Sequence, residues 1–250
     1  MRKWIVPGTL TSVAMAILTG CGGGSDSAVN SLPVGIAEVS RTAYTATQPG
    51  AGTSPATQDL LTGGLGKAGL GLAAAPAFAD PLNPTAAELR RNALHGNYRG
   101  IMDASAGSGY GTLYGPNIDL AGRDTLGHGL IPGVEYLARL DDGSGRKNVA
   151  MVVQVPAHFD ANNPCIVAGP SSGSRGVYGS IGSAGEWALK KGCAVALTDS
   201  GKGMGLHDLM DDSVNRIDGT RASRTAAGMR SHFAAQITDA ARTAFNTAFP

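Results

Sequence analysis

Between Pro164 and Asp199 the chain reads strand, Gly/Ser turn, helix, strand, and no other segment restricts the fold as much. Cys165 to Gly169 is a short apolar run without alternation, as expected of a strand buried on both faces of a sheet. A helix is expected from about Ser180 to Lys191. Ser183 and Glu186 stand at capping spacing, Trp187 and Leu189 are apolar anchors, two lysines fill the last turn and Gly192 is the stop. Cys193 to Thr198 is the next strand. The turn Gly169-Pro170-Ser171-Ser172-Gly173 then sits at the carboxyl end of a parallel sheet, where ligands of open α/β sheets bind.

Upstream, Val134 to Leu140 and Asn148 to Val155 are strand-like runs joined by the polar turn Asp141 to Lys147, which predicts an antiparallel hairpin. Thr85-Ala86-Ala87-Glu88 has capping-box spacing and predicts a helix from Ala86 to Leu94, with His95 a surface residue at its end. Asp59 to Ala79 carries repeated Gly-Leu pairs and reads as irregular, as does the glycine-punctuated stretch from Tyr110 to Gly133. Phe233 to Phe249 is the last helical run, with Phe233, Ile237, Ala241 and Phe245 at helix spacing. The fold class is α/β. The order of hairpin, third strand, helix, fourth strand and helix matches the N-terminal portion of an α/β-hydrolase-like sheet, with the sequence stopping before that fold's nucleophile elbow.

The turn at Ser171 carries the G-x-S-x-G pattern of such an elbow, but its surroundings argue for another role. An elbow is followed at once by a helix, and here Ser172-Gly173-Ser174-Arg175-Gly176 makes a poor first helical turn. Pro170 removes a backbone donor and fixes φ. Ser172, Gly173, Ser174 and Arg175 read better as an oxyanion or substrate loop, in which backbone N–H groups approach a developing negative oxygen without side-chain obstruction. Ser171 or Ser172 as nucleophile, and a purely structural turn, are the alternatives. Arg175 is placed to orient a substrate carboxylate or to serve as a surface or salt-bridged residue. His207, near Asp199 and Asp208, is a candidate substrate contact or a loop histidine with a local hydrogen bond.

The first residues bear on location. Arg2 and Lys3 precede an apolar run from Trp4 to Leu18, too short to span a bilayer and suited to a bacterial export signal. The run ends in Leu18-Thr19-Gly20-Cys21, a lipoprotein cleavage box with Cys21 as the acylated residue; an ordinary secretory signal cleaved after Cys21 is the alternative. Residues 1–20 are then the signal, 21–58 a flexible tether rich in small and polar residues, and 59–250 the folded part. Either signal sends the protein out of the cytoplasm, secreted or periplasmic, with membrane anchoring through acylated Cys21 in the first case. In an oxidising compartment Cys165 and Cys193, each at the start of a strand, can form a disulfide if their strands are neighbours; a pair of buried thiols is the alternative.

Net charge excludes one class of partner. The chain has 20 basic and 19 acidic residues, a formal +1 that falls to about −1 once Arg2 and Lys3 leave with the signal, so there is no electrostatic footprint for nucleic acid. A small neutral substrate is the simpler expectation. No C-x-x-C pair or histidine cluster suggests a metal, and Asp208, Asp211 and Asp212 lack the spacing of a calcium loop. The glycines from Asp199 to His207 lack G-x-x-x-x-G-K-[ST], which argues against a nucleotide, and no cofactor is expected.

Several blocks resemble one family, the bacterial extracellular D-3-hydroxybutyrate oligomer hydrolases. They are Asp59-Leu60-Leu61-Thr62, Ala87-Glu88-Leu89-Arg90-Arg91, Tyr114-Gly115-Pro116-Asn117, Asp141 to Val149, Val153-Gln154-Val155-Pro156, Asn163 to Val167, Ser171 to Gly179, and Gly185-Glu186-Trp187. The resemblance covers nearly all of the chain beyond the tether. It implies a serine esterase that cleaves short 3-hydroxybutyrate oligomers to monomers in polyhydroxybutyrate degradation. It also implies a longer protein, whose charge-relay serine lies in a later Ser-Asn-Gly-Gly segment absent here, so no catalytic residue carries over. Another exported esterase, of feruloyl-esterase type, and a non-enzymatic binding lipoprotein are the rival readings.

Overall fold

Two neighbouring runs rich in apolar and β-branched side chains build the centre of the sheet. In the computed structural model, β2 (Gly133–Leu140) and β3 (Val149–Pro156) pair antiparallel, with Val134 opposite Val155 and Leu137 opposite Val152. Side chains of both strands alternate between buried and half-buried along most of their length, as expected of a sheet with one face on the core. The structure describes residues 32–47, 58–140, 149–171, 175–201, 207–216, 220–227 and 239–248. The chain divides into Met1–Leu32 and Pro33–Pro250, and every element named below belongs to the second unit. The leader with Cys21, the turn from Asp141 to Lys147, Ser172, Gly173 and Ser174 lie outside the described residues.

β1 (Ile36–Tyr44) pairs antiparallel with β2, with a register shift between Glu38 and Ser40. This stretch falls inside the expected tether, which is corrected here: nine residues of it are strand. Its exposed positions carry Ser40, Arg41 and Thr42 between two alanines, a composition of small and polar residues suited to a sheet edge facing water. The Gly-Leu repeats hold one short helix, α1 (Gly66–Leu70), where no helix is expected from composition.

α2 (Ala86–Arg99) begins where the capping box places it. The Thr85 side chain accepts from the Glu88 backbone N–H, and the Glu88 carboxylate accepts from the Thr85 N–H at 2.9 Å. The helix runs five residues past the expected end. His95 is therefore inside it, 4% exposed, with Nε2 3.0 Å from the Leu72 carbonyl oxygen rather than at the surface.

β4 (Ile166–Pro170) and β5 (Ala194–Thr198) are parallel, and the sheet order is β1-β2-β3-β5-β4. β4 is therefore an edge among the described strands, and Ile166 is 73% exposed. The expectation of a strand buried on both faces is corrected: Ile166, Ala168 and Pro170, which share one face, are exposed, and an unbroken apolar run does not say whether a second layer covers that face. The crossover between β4 and β5 is a π-helical turn (Ile181–Gly185) that leads into α3 (Glu186–Lys191). The Ser183 cap is not formed; its Oγ donates to the Ser180 carbonyl at 3.3 Å instead. Gly192 ends α3 at φ 84°, a left-handed conformation that side chains resist.

The core lies between this sheet and the helices, and includes Leu60, Leu94, Val152, Ile181, Leu189 and Val195. After β5 comes a small antiparallel sheet of β6 (His207–Asp208), β7 (Ser213–Asn215) and β8 (Arg221–Ser223), which the sequence pattern does not announce. α4 (Arg224–Ala227) follows, and α5 (Asp239–Ala248) is the described part of the expected C-terminal helix. Among the described residues, no helix is long and apolar enough to cross a membrane.

Candidate functional site at the carboxyl ends of β4 and β5

Parallel pairing brings two chain turns together. The Ser171 N–H donates to the Thr198 carbonyl at 2.8 Å, continuing the β4–β5 ladder by one residue. Ser200 then lies beside it and donates its Oγ to the Ser171 carbonyl at 3.2 Å. Asp199 is completely buried and holds the second turn: its Oδ1 accepts from the Ala150 N–H at 3.1 Å and the Gly201 N–H at 2.8 Å. Ser180 Oγ donates to the Pro170 carbonyl at 2.9 Å, tying the start of the crossover to the end of β4.

Within this arrangement Ser171 is 6% exposed, and its Oγ has no hydrogen-bond partner among the described residues. A nucleophilic serine needs a base within hydrogen-bond reach. Among the described residues, no histidine ring bonds a serine hydroxyl. His207 Nε2 lies 2.9 Å from Asp212 Oδ1, an oxygen that also accepts from Arg224, and His95 turns to the Leu72 carbonyl. The association of His207 with Asp199 and Asp208 is thus replaced by a pairing with Asp212, set by the β6–β7 turn.

Arg175, the described far end of the candidate loop, is not held out for a substrate carboxylate. Its Nε donates to Asn97 Oδ1 at 3.1 Å and its Nη2 to the Asn97 carbonyl. A Cβ on Gly100 would overlap the guanidinium, so the glycine that ends α2 is what lets Arg175 seat there. The arginine anchors the turn to the end of α2.

Cys165 and Cys193, 28 positions apart in sequence, are joined by a disulfide with Cα atoms 4.8 Å apart. It ties the starts of β4 and β5 together at the end of the strands opposite Ser171. Among the described residues no group of three or more His, Cys, Asp or Glu is arranged to hold a metal ion.

Sequence reasoning does not find the most elaborate polar cluster. Glu135 of β2 is 5% exposed and takes a bidentate contact from Arg90 of α2, at 2.9 and 2.7 Å. Tyr178 donates to Glu135 Oε1 at 2.8 Å and Gln154 to Oε2 at 2.8 Å. Burial raises the Glu135 pKa, but the Arg90 charge and the hydrogen bonds outweigh it and hold the carboxyl below its ordinary range. Tyr44, stacked with Arg90 at 4.3 Å, is pushed by burial up to about 12. The one available signal is a glutamate on the same parity as Leu137 in a strand-like run; its partner lies 45 residues away.

The 3HB-oligomer hydrolase family matches residues 17–250. A "D-(-)-3-hydroxybutyrate oligomer hydrolase" of Polaromonas naphthalenivorans is 54% identical over 246 residues, covering 97% of this chain and 33% of the relative. One of Burkholderia vietnamiensis, with the same name, is 55% identical over 238 residues, covering 95% and 33%. The chain thus spans about a third of the length of the curated relatives it matches. No solved structure matches.

Proposed function

The chain belongs to the 3HB-oligomer hydrolase family, and from that membership we propose that the protein hydrolyses the ester bonds of short D-3-hydroxybutyrate oligomers to release monomers. The match over residues 17–250, with relatives at 54% identity that carry this name, is the observation that carries the reading.

The reaction is a two-step acyl transfer: a serine attacks the ester carbonyl, a histidine moves the proton to the leaving alcohol, and water releases the acyl-enzyme. This third supplies an α/β-hydrolase-like sheet and the substrate-side loop after β4. Its antiparallel β2–β3 pair, followed by parallel β4 and β5 with a helical crossover, supports that assignment. The backbone N–H groups of Ser172, Gly173 and Ser174 receive the developing oxyanion. The attacking serine and its partners come from polypeptide that the longer relatives carry outside the matched third. The unpartnered Ser171 Oγ favours this division. The disulfide favours an exported protein, since such bonds persist in oxidising compartments; export, with acylation of Cys21, is part of the proposal.

The test is release of 3-hydroxybutyrate from the linear trimer, followed by chromatography, with the 250-residue chain and a threefold longer form side by side. The longer form is expected to hydrolyse the trimer in preference to aromatic esters, and the 250-residue chain to be inactive. Hydrolysis by the 250-residue chain that disappears in Ser171→Ala would sink the assignment of the loop. A lipid-modified N-terminal Cys21, read by mass spectrometry, tests the anchor.

A further inference from the structure

Beside α3 the surface opens into a groove of about 340 Å³, lined by Met102, Leu113, Ile118, Leu120 and Trp187. Leu113 is 76% exposed, Trp187 53% and Leu120 49%, an apolar cluster that ordinary solvation of a folded surface does not call for. The charges at the groove are already neutralised by one another. Lys190 Nζ directs its three donors to Glu186, to the Gly115 carbonyl at 2.8 Å and to the Ile118 carbonyl at 2.7 Å. Glu186 also accepts from the Tyr98 hydroxyl, and Asp119 pairs with Arg123.

The same bonds make the groove a preformed one. Lys190 fixes the segment that carries Leu113 and Leu120 to α3, and Asn117 braces it from within, donating to the Gly111 carbonyl at 2.9 Å and to Asp124 at 2.7 Å. Concave, apolar and preformed surfaces of this kind are the usual form of small-ligand sites. The groove also lies close to the candidate loop, since Ser183 lines it and Ser180, three residues earlier, is bonded to the carbonyl that ends β4.

We infer that this groove is a subsite for the uncharged, methyl-bearing ester chain of a 3-hydroxybutyrate oligomer, with Trp187 as its platform. The inference rests on the ester-hydrolase reading for the substrate class. Charge decides the occupant: a neutral chain of methyl and ester groups loses little hydration against apolar walls. A free carboxylate would be stripped of water beside a lysine already committed to three acceptors. The indole supplies a broad apolar face with one N–H donor, which suits alternating methyl and carbonyl groups. The subsite therefore distinguishes oligomer from monomeric acid.

The chain has two tryptophans, Trp4 and Trp187, so Trp4→Phe leaves Trp187 as the single reporter. Titration of this variant of the 250-residue chain with the methyl ester of the 3-hydroxybutyrate trimer is expected to change Trp187 emission saturably. Free 3-hydroxybutyrate should leave the emission unchanged. Leu113→Asp and, separately, Leu120→Asp at exposed wall positions should weaken binding about tenfold or more with unchanged circular dichroism. An emission that ignores the trimer ester, or follows monomer and trimer equally, overturns the subsite. Dimerisation that itself shields Trp187 gives the groove to a second copy, and shielding of Trp187 from acrylamide in the longer form before substrate is added gives it to the remaining polypeptide; either overturns the subsite too. Binding is read without turnover, so hydrolysis by the longer form with a silent Trp187 defeats this inference alone. A responsive Trp187 without hydrolysis in the longer form defeats the esterase reading instead.

Discussion

Glu135 shows how a buried charge can be tolerated and what it does to acid stability. Its two oxygens take four close donors, from Arg90, Tyr178 and Gln154, so ionisation is favoured despite burial. The folded pKa lies below the ordinary value of 4.5. Stability from this carboxylate is therefore complete above pH 4.5 and is lost as pH falls through the lower folded value. Glu135→Gln should destabilise the chain by about 3–5 kcal/mol at neutral pH, because it leaves the Arg90 charge buried without its partner. Measured by urea unfolding across pH, the difference between wild type and variant should shrink below pH 4.5; a constant difference would contradict the assignment. Ser171 is the opposite case. Among the described residues its buried hydroxyl has no partner, and an unsatisfied group of this kind costs about 1–3 kcal/mol. Ser171→Ala should leave the melting temperature unchanged or raise it, and should leave trimer hydrolysis by the longer form intact. A fall in either would mean that the hydroxyl has a partner or a reacting role.

Among elements, the disulfide acts on the β4–β5 crossover more than on any other part. It closes the segment containing the turn, the π-helical turn and α3, the two cysteines standing 28 positions apart in sequence. Cys165→Ser is expected to cost about 2–4 kcal/mol, read from urea unfolding, and reductant should bring wild type down to the same stability while leaving the variant unmoved. Elements whose causes are local were legible in the sequence. Thr85 and Glu88 fix the start of α2 within four residues, and the β2–β3 hairpin follows from strand-like runs on either side of a polar turn. What was not legible depends on partners distant in sequence. β1 is polar enough to pass for a tether and becomes a strand because β2 offers it a ladder 95 residues away, as at Arg41 and Tyr136. Arg175 could not be separated from a substrate-binding arginine, because Asn97 and Gly100, which seat it, belong to another element.

At the scale of the whole molecule, the placement of β4 at the sheet edge has the widest consequence. Cys165 accepts from Ala194 and Ser171 donates to Thr198, so odd-numbered residues of this stretch turn their backbone groups towards β5. By alternation, Ile166 and Ala168 turn theirs outward, on the flank where no described strand lies. That edge carries no charged side chain and is blunted only by Pro170 at its end, the arrangement that invites pairing with another chain. The relatives are about three times as long as this chain, so polypeptide able to cover the edge is available in them. In the 250-residue chain by itself, the expected consequence is slow association through β4. Ile166→Lys, at a position 73% exposed, should leave the unfolding free energy within about 0.5 kcal/mol of wild type. It should also lower light scattering on storage, because a lysine on an edge strand opposes strand addition. Equal scattering by the two proteins would move the association elsewhere, and a large loss of stability would mean that Ile166 is covered within the chain itself.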